Sequence, residues 1–499
     1  MPEPGDTAPL PSRIASLVHA HFDALPTRSK PSIFPDGTKE SGAKCLSASH
    51  IPRCRGLVLH DCHAEILAIR AFNYWLLTEC HGLWNEASKD TIPTSPFIRR
   101  RAIRNKNGET EDPNSEKWPP FELQPGIKIY MYCTCAPCGD ASMELCMASQ
   151  QDATPWEITQ EKTDTNSEDA MLDGRAHFSR LGVVRRKPAR MDAESTRSKS
   201  CSDKLALRQV TSLLSCETSR LIAPTKSAYL AGLILPEDEI TRSGCERSFG
   251  ESGRMKALAG KSWPSEGILS GESTIAYRFH PFQVLAVSAE QIKAQWPFAK
   301  MKNTLPLLSN GSDEVKPVTA SKKNRPGNVS AIWAAAPSYS HSCAALSDTG
   351  SKTLPALKGS KTGLYENVIN GVKQGNRATT PLARGASSLS RAKLWVLLRN
   401  IVQPNVCTSP PGSMQQELPV PGVDGCAGDR SLDALRHKLL HATTYDEMKR
   451  ACSDSVTDSD RFRAEAMDDA KTVLKGWLPN SGDEGWGLDV LVDPQKRKR

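Results

Sequence analysis

The sequence predicts an α/β fold, a mixed sheet with helices on its faces, and three observations predict it. Residues 64–77, AEILAIRAFNYWLL, contain no Pro or Gly and are apolar on nearly every face, as a helix buried in a core must be. Residues 127–132, IKIYMY, have strand-forming composition. The turn Cys133-Thr134-Cys135-Ala136-Pro137 then leads into a second helical run, Ala141 to Met147.

These elements place reactive side chains. His63 and Glu65 fall at the first turn of the long helix, and Cys138 falls at the start of the second, where the helix dipole favours thiolate over thiol. Two helix starts can present ligands to one metal. The islands His63-Ala64-Glu65, Pro137-Cys138-Gly139 and Ser200-Cys201-Ser202-Asp203-Lys204 follow one another in the chain. They offer one imidazole, two thiolates and one free carboxylate. Zinc-dependent deamination of a nucleobase needs three protein ligands, a fourth position for water, and a carboxylate beside the metal that does not ligate it.

Zinc bound by His63, Cys138 and Cys201 would lower the pKa of its water from about 15.7 toward about 7. Glu65 would take that water's proton and pass it to the ring nitrogen and then to the departing amine. The third ligand stays open at this point. Cys135 and Cys138 form a C-x-x-C that could itself hold zinc, and the place three residues after Cys138 is held by Ala141, so the remaining thiolate comes from elsewhere.

At 499 residues, with 38% hydrophobic residues, 35 Pro and 33 Gly, the chain reads as one large core interrupted by polar insertions. The insertions fall at about 86–122, 150–180, 237–272, 298–326 and 404–431, each rich in Ser, Thr, Pro, Gly or charge, and they read as mobile surface loops. Residues 1–18 read as an N-terminal tail, 19–490 as the domain and 491–499 as a basic tail. Fifteen cysteines, no apolar signal sequence and no run of about 20 apolar residues imply a reducing, intracellular setting without a membrane span, in nucleus or cytoplasm. The net charge of +8 favours a polyanionic partner. Arg99-Arg100-Arg101, Arg104 with Lys106, and Arg185-Arg186-Lys187 are the basic clusters expected to meet phosphates.

GLVLHDCHAEILAIRAFN (56–73), CAPCGDAS (135–142), RRKPAR (185–190) and SCSDKLAL (200–207) resemble the adenosine deaminases that act on RNA. GAKCLSAS (42–49), GLILP (232–236), HPF (280–282), NVSAIW (328–333) and INGVKQG (369–375) extend the resemblance from about residue 19 to about 490. The likeness is greater to the fungal branch that acts on tRNA. It implies a cytidine-deaminase-like α/β fold and hydrolytic conversion of adenosine to inosine just 3′ of the anticodon, with tRNA-Ala as the partner and no obligate protein partner.

The resemblance also assigns residues. It makes His63, Cys138 and Cys201 the zinc ligands, Glu65 the proton shuttle and Lys44 a substrate contact. It further implies a C-terminal helical portion enclosing one buried inositol hexakisphosphate, held by Arg70, Lys204, Lys373, Tyr445, Lys449, Lys471 and Trp486, with Asp61 relaying between its lysine and the metal site. Ile69 and Leu207 are apolar where the messenger-RNA-editing branch carries arginine. The join SIFPDGTKES (32–41) is shorter than the family's, which predicts a missing strand and an unpaired sheet edge. Two other readings remain from the residues: deamination of double-stranded RNA, and an inactive RNA-binding relative in which the zinc is structural.

Overall fold

The computed structural model describes residues 8–41, 44–85, 94–101, 118–148, 172–173, 180–187, 194–264, 276–298, 325–338, 363–403, 436–450 and 458–492. Its architecture is α/β. A parallel sheet is ordered Gln283–Val287, Leu230–Pro236, Ile129–Tyr132, with Leu230–Pro236 in the centre. An antiparallel sheet joins Val329–Ala335, Gly363–Ile369 and Val372–Lys373. Among the described residues, these are the two three-stranded sheets, one parallel and one antiparallel, so the mixture of strand directions expected from sequence is divided between them. Parallel strands need long crossovers, and here those crossovers carry the reactive cysteines, whereas the antiparallel pair needs only a tight turn.

That turn is Asn370-Gly371, both at positive φ (50° and 84°), as a two-residue hairpin turn requires. Gly371 has a second reason to lack a side chain, because a Cβ there would lie 2.3 Å from the Leu59 carbonyl oxygen. Leu59 N–H donates to the Gly371 carbonyl at 2.8 Å. The hairpin thus grips the chain four residues before His63.

The long helix, α2, spans Ala64–Asn85 and lies between the two sheets. Ile69 packs with Leu205, Leu230 and Leu233 on the parallel side. Leu67 and Ala71 pack with Ile332, Ala334 and Val368 on the antiparallel side. Burial on both faces is why its sequence is apolar nearly all round. On the C-terminal side, the helix Arg391–Val402 buries Trp395, Leu398 and Ile401 in the same core as Leu76 and Leu77. The helices Tyr445–Arg450 and Asp458–Val473 follow.

Three expectations are corrected. Within the expected N-terminal tail, residues 1–7 lie outside the described residues and the rest is not a tail: α1 spans Leu10–Asp23, with Pro11 in its first turn and Ala15 and His19 buried. His19 Nε2 lies 2.8 Å from the Tyr132 hydroxyl, which fixes α1 on the parallel sheet. Residues 237–264 are not a mobile loop but core, with helix Arg242–Phe249 and buried Cys245, Phe249, Met255, Leu258 and Trp263. Their apolar residues are spaced too widely for a composition window to register. The stretch 86–122 includes the antiparallel pair Ile98–Arg100 and Phe121–Leu123. Most of 150–180, 298–326 and 404–431 lies outside the described residues, as do 493–499.

In the short join, Ile33 bridges Lys39 and Glu40–Ser41 pairs in parallel with Arg325–Pro326. Among the described residues, Ile129–Tyr132 has a strand partner on one side only.

Candidate metal centre

His63 sits directly before α2, and its carbonyl accepts the Leu67 N–H at 3.0 Å. Cys201 is the first residue of α4 (Cys201–Thr211), whose N-cap Ser200 accepts from Asp203 N–H at 3.1 Å. Cys138 ends the turn that leaves Tyr132, ahead of the short helix α3 (Met143–Ala148). Gly139 follows it at φ +104°, where a Cβ would lie 2.1 Å from the Ser200 hydroxyl, so only glycine lets this turn approach α4. The Ser202 N–H donates to the Cys138 carbonyl at 3.0 Å, and the Cys201 N–H points at Cys138 Sγ at 3.4 Å.

The result is a convergent donor set. His63 Nδ1 is 3.8 Å from Cys138 Sγ and 3.6 Å from Cys201 Sγ, and the three ligand atoms lie within 4.8 Å of one another. On a tetrahedral zinc with bonds of about 2.3 Å to sulfur and 2.05 Å to nitrogen, such atoms stand about 3.6 Å apart. The three residues fit the ion. Cys135 is not in this group. Glu65 is buried in the first turn of α2, and its carboxylate adds to the effect of burial in raising the Cys133 and Cys201 thiols.

The three donors share one negative charge, carried by Cys138. The Cys201 hydrogen bond, with Lys187 and His63, holds the Cys138 thiol well below its ordinary range against the opposing effect of burial. Burial and the Cys138 charge push Cys201 up. Burial and Lys187 disfavour a charged His63, but its contacts with Cys138 and Cys45 outweigh them and raise it to about 10.

Asp61 is the hub behind these ligands. Its Oδ1 accepts the His63 N–H at 3.0 Å and the Cys45 thiol at 3.4 Å, and its Oδ2 accepts the Ser198 hydroxyl at 2.8 Å. Lys204 also donates to Oδ2. Lys187 Nζ reaches both carboxylate oxygens, at 3.1 and 2.9 Å, and Cys201 Sγ at 3.1 Å. Burial favours a protonated Asp61, yet Lys204 and Lys187 hold it well below the usual carboxylate range.

Lys187 was missed as a site residue because a basic run reads as surface charge. The expectation that Arg185-Arg186-Lys187 meets phosphates is corrected: Arg185 and Lys187 are 1% and 4% exposed. Arg99 and Arg101 pair with Glu122, and Arg104 and Lys106 lie outside the described residues.

The remaining assigned residues divide. Arg70 Nε donates to the Leu389 carbonyl at 2.9 Å. Tyr445 stacks on Trp486 at 4.7 Å, with the Lys449 ammonium 5.7 Å from the Tyr445 ring centre. Lys373 instead pairs with Glu366 at 3.0 Å, and Lys471 with Asp468 at 3.3 Å. Lys44 is exposed beside Cys45, which bridges Asp61.

Sequence reasoning also missed Arg208 and Arg463, both of which donate to the Leu214 carbonyl, at 2.8 and 3.4 Å. Arg208 lies one turn after Lys204 on α4, the spacing that could have found it. Burial, Arg463 and Arg70 lower it to about 10 despite Glu217.

Fold and site together define a class, an α/β protein whose helix starts bring together a His-Cys-Cys donor set that could hold a metal, with a carboxylate outside the set, an arrangement of the kind nucleobase deaminases use. Residues 40–247 match the adenosine-deaminase (editase) domain family. It is 36% identical over 296 residues to tRNA-specific adenosine deaminase 1 of Schizosaccharomyces pombe, covering 54% of this chain and 66% of that protein. It is 36% identical over 219 residues to tRNA-specific adenosine deaminase 1 of Saccharomyces cerevisiae, covering 42% and 48%. A double-stranded RNA-specific editase B2 of Mus musculus is 35% identical over 127 residues, covering 26% of this chain and 13% of that protein. The matched stretch thus spans about two thirds of the first relative and about half of the second.

Proposed function

We propose that this protein deaminates adenosine to inosine in tRNA, using water and releasing ammonia, at a zinc held by His63, Cys138 and Cys201. The convergence of those three donors beside Glu65 carries the reading. Zinc, when bound, supplies the Lewis acidity that makes a water acidic near neutral pH. Glu65 accepts that water's proton at its carboxylate, delivers it to the ring nitrogen next to the reacting carbon, and then serves the departing amine. Lys187 balances the thiolate of Cys201, and Asp61 fixes Lys187 and the His63 backbone. The target base must leave its stack to reach the site, and an anticodon loop already offers unstacked bases.

The tRNA reading is favoured over double-stranded RNA because the likeness to the two fungal tRNA-specific adenosine deaminases covers 54% and 42% of this chain, against 26% for the editase B2. The adenosine just 3′ of the anticodon of tRNA-Ala is the expected target. Incubating the protein with a panel of tRNA transcripts and sequencing for inosine tests this. Inosine at one site of one tRNA supports the reading, and inosine only in duplex RNA overturns it.

A buried polyphosphate such as inositol hexakisphosphate belongs to the same proposal. Arg70 and Arg208 are half-buried, lowered by burial first, and their hydrogen bonds go to neutral carbonyls of Leu389, Ser212 and Leu214. Glu217, bonded to the Tyr445 hydroxyl at 3.1 Å, is the carboxylate that offsets them. Buried cations require compensating anions, so this cluster fits a polyanion.

A further inference from the structure

The loop that carries Cys138 leaves the end of Ile129–Tyr132, and the neighbouring parallel strand Leu230–Pro236 ends beside it in the turn Glu237–Glu239. One side chain of that turn reaches the loop. Glu239 Oε2 accepts the Ala136 N–H at 2.9 Å, two residues before Cys138. Ala136 is 7% exposed, so its N–H has little access to water as an alternative partner. On the other side of Cys138, Arg247 holds the buried Asp140 carboxylate at 2.9 Å, and the Thr241 hydroxyl reaches the Ala141 carbonyl at 3.3 Å. The two anchors flank the ligand cysteine at once.

We propose that Glu239 is a positioning residue for the metal centre, its carboxylate fixing the Ala136 peptide so that Cys138 Sγ is held at His63 and Cys201. The inference rests on the zinc reading above. The downstream anchor is built on the fully buried Asp140 carboxylate, whose loss would disturb the core. Glu239 is different, because it is half-exposed on a short surface turn and its removal opens no cavity. Its charge-assisted bond restrains the loop upstream of Cys138, between the Cys133 N–H bond to the Ile234 carbonyl and the ligand itself. Partners that orient a metal ligand characteristically change metal affinity about 10- to 100-fold when lost.

The experiment loads wild type, Glu239→Ala, Glu239→Gln and the exposed control Glu237→Ala with zinc, then follows zinc release to a chromogenic chelator alongside thermal melting. Glu239→Ala should release zinc about tenfold faster or more, with an unchanged melting temperature. Glu239→Gln keeps an acceptor oxygen and should restore most of the retention, and Glu237→Ala should match wild type. Release from Glu239→Ala at the wild-type rate overturns the inference while leaving the zinc reading intact. Equal loss in both Glu239 variants with a lowered melting temperature overturns it as well, since that marks general loosening. Wild type that takes up no zinc overturns the zinc reading, and this inference with it.

Discussion

The Lys187 ammonium lies 3.1 Å from Cys201 Sγ while donating to both oxygens of Asp61. A buried cation is thereby shared between a metal-ligand thiolate and a carboxylate that also holds the His63 backbone. Removing one member of such a group leaves an uncompensated buried charge, which typically costs about 3–5 kcal/mol. Lys187→Met should therefore lower stability by that order in urea unfolding. Combined with Asp61→Asn, the losses should not be additive, because Asp61→Asn takes away the carboxylate partner of Lys187 while Lys187→Met leaves Asp61 with Lys204 as its remaining cation. Additive losses would show that the two side chains do not act as one unit.

Zinc stoichiometry separates the two thiols that the residues alone left open. Wild type should carry about one zinc per chain, Cys201→Ala almost none and Cys135→Ala the full amount, by elemental analysis. The reverse pattern would move the third ligand to the C-x-x-C.

Lys199 gives a pH prediction. Its ammonium is buried against the Trp477 ring and bonded to Asn480 Oδ1 at 2.7 Å. Burial first, then Lys204, Lys471 and Arg197, lower its pKa from 10.5 to about 8. Between those values the unfolded chain holds a proton that the folded chain has released, so stability rises with pH through about 8 to 10.5 and is flat below. Lys199→Gln should lack this rise and be more stable at pH 7, by on the order of 2 kcal/mol. Urea midpoints at pH 7 and pH 10 for both proteins check it, and equal pH slopes would contradict it.

Loss of the arginine cluster should resemble loss of a bound polyanion. Arg208→Met should retain less inositol phosphate, read by mass spectrometry of acid extracts from purified protein. A ligand that binds only the folded state stabilises it by mass action, so poorer solubility should accompany that loss. An Arg208→Met protein with unchanged inositol phosphate would place the ligand elsewhere.

The residues that were legible in sequence are those whose local pattern carries their role. The uniformly apolar 64–77 run announces a helix buried on both faces, and His63, Glu65 and Cys138 lie at turns that composition marks. Cys201 and the donors around Asp61 were less visible, because a contact between Lys187 and Asp61 spans 126 residues and leaves no periodic trace. A charged run has the same composition whether it faces water or a buried carboxylate, which is why Arg185 and Lys187 were read outward. The helix Leu10–Asp23 was hidden for a related reason: its buried face is built from Ala15 and His19, small and polar residues that register as tail. Arg208 and Arg463 converge only through the packing of α4 against the helix Asp458–Val473.

The most direct measurement compares wild type with Glu65→Gln on a tRNA transcript, scoring inosine by sequencing and zinc by elemental analysis in the same preparations. Glu65→Gln keeps the shape and hydrogen bonding of the side chain but cannot take the proton. It should retain zinc and tRNA binding while its deamination rate falls by about 10²–10⁴-fold or more. Deamination by Glu65→Gln within about tenfold of wild type would contradict the account, since a proton shuttle lost from this site must cost more than that.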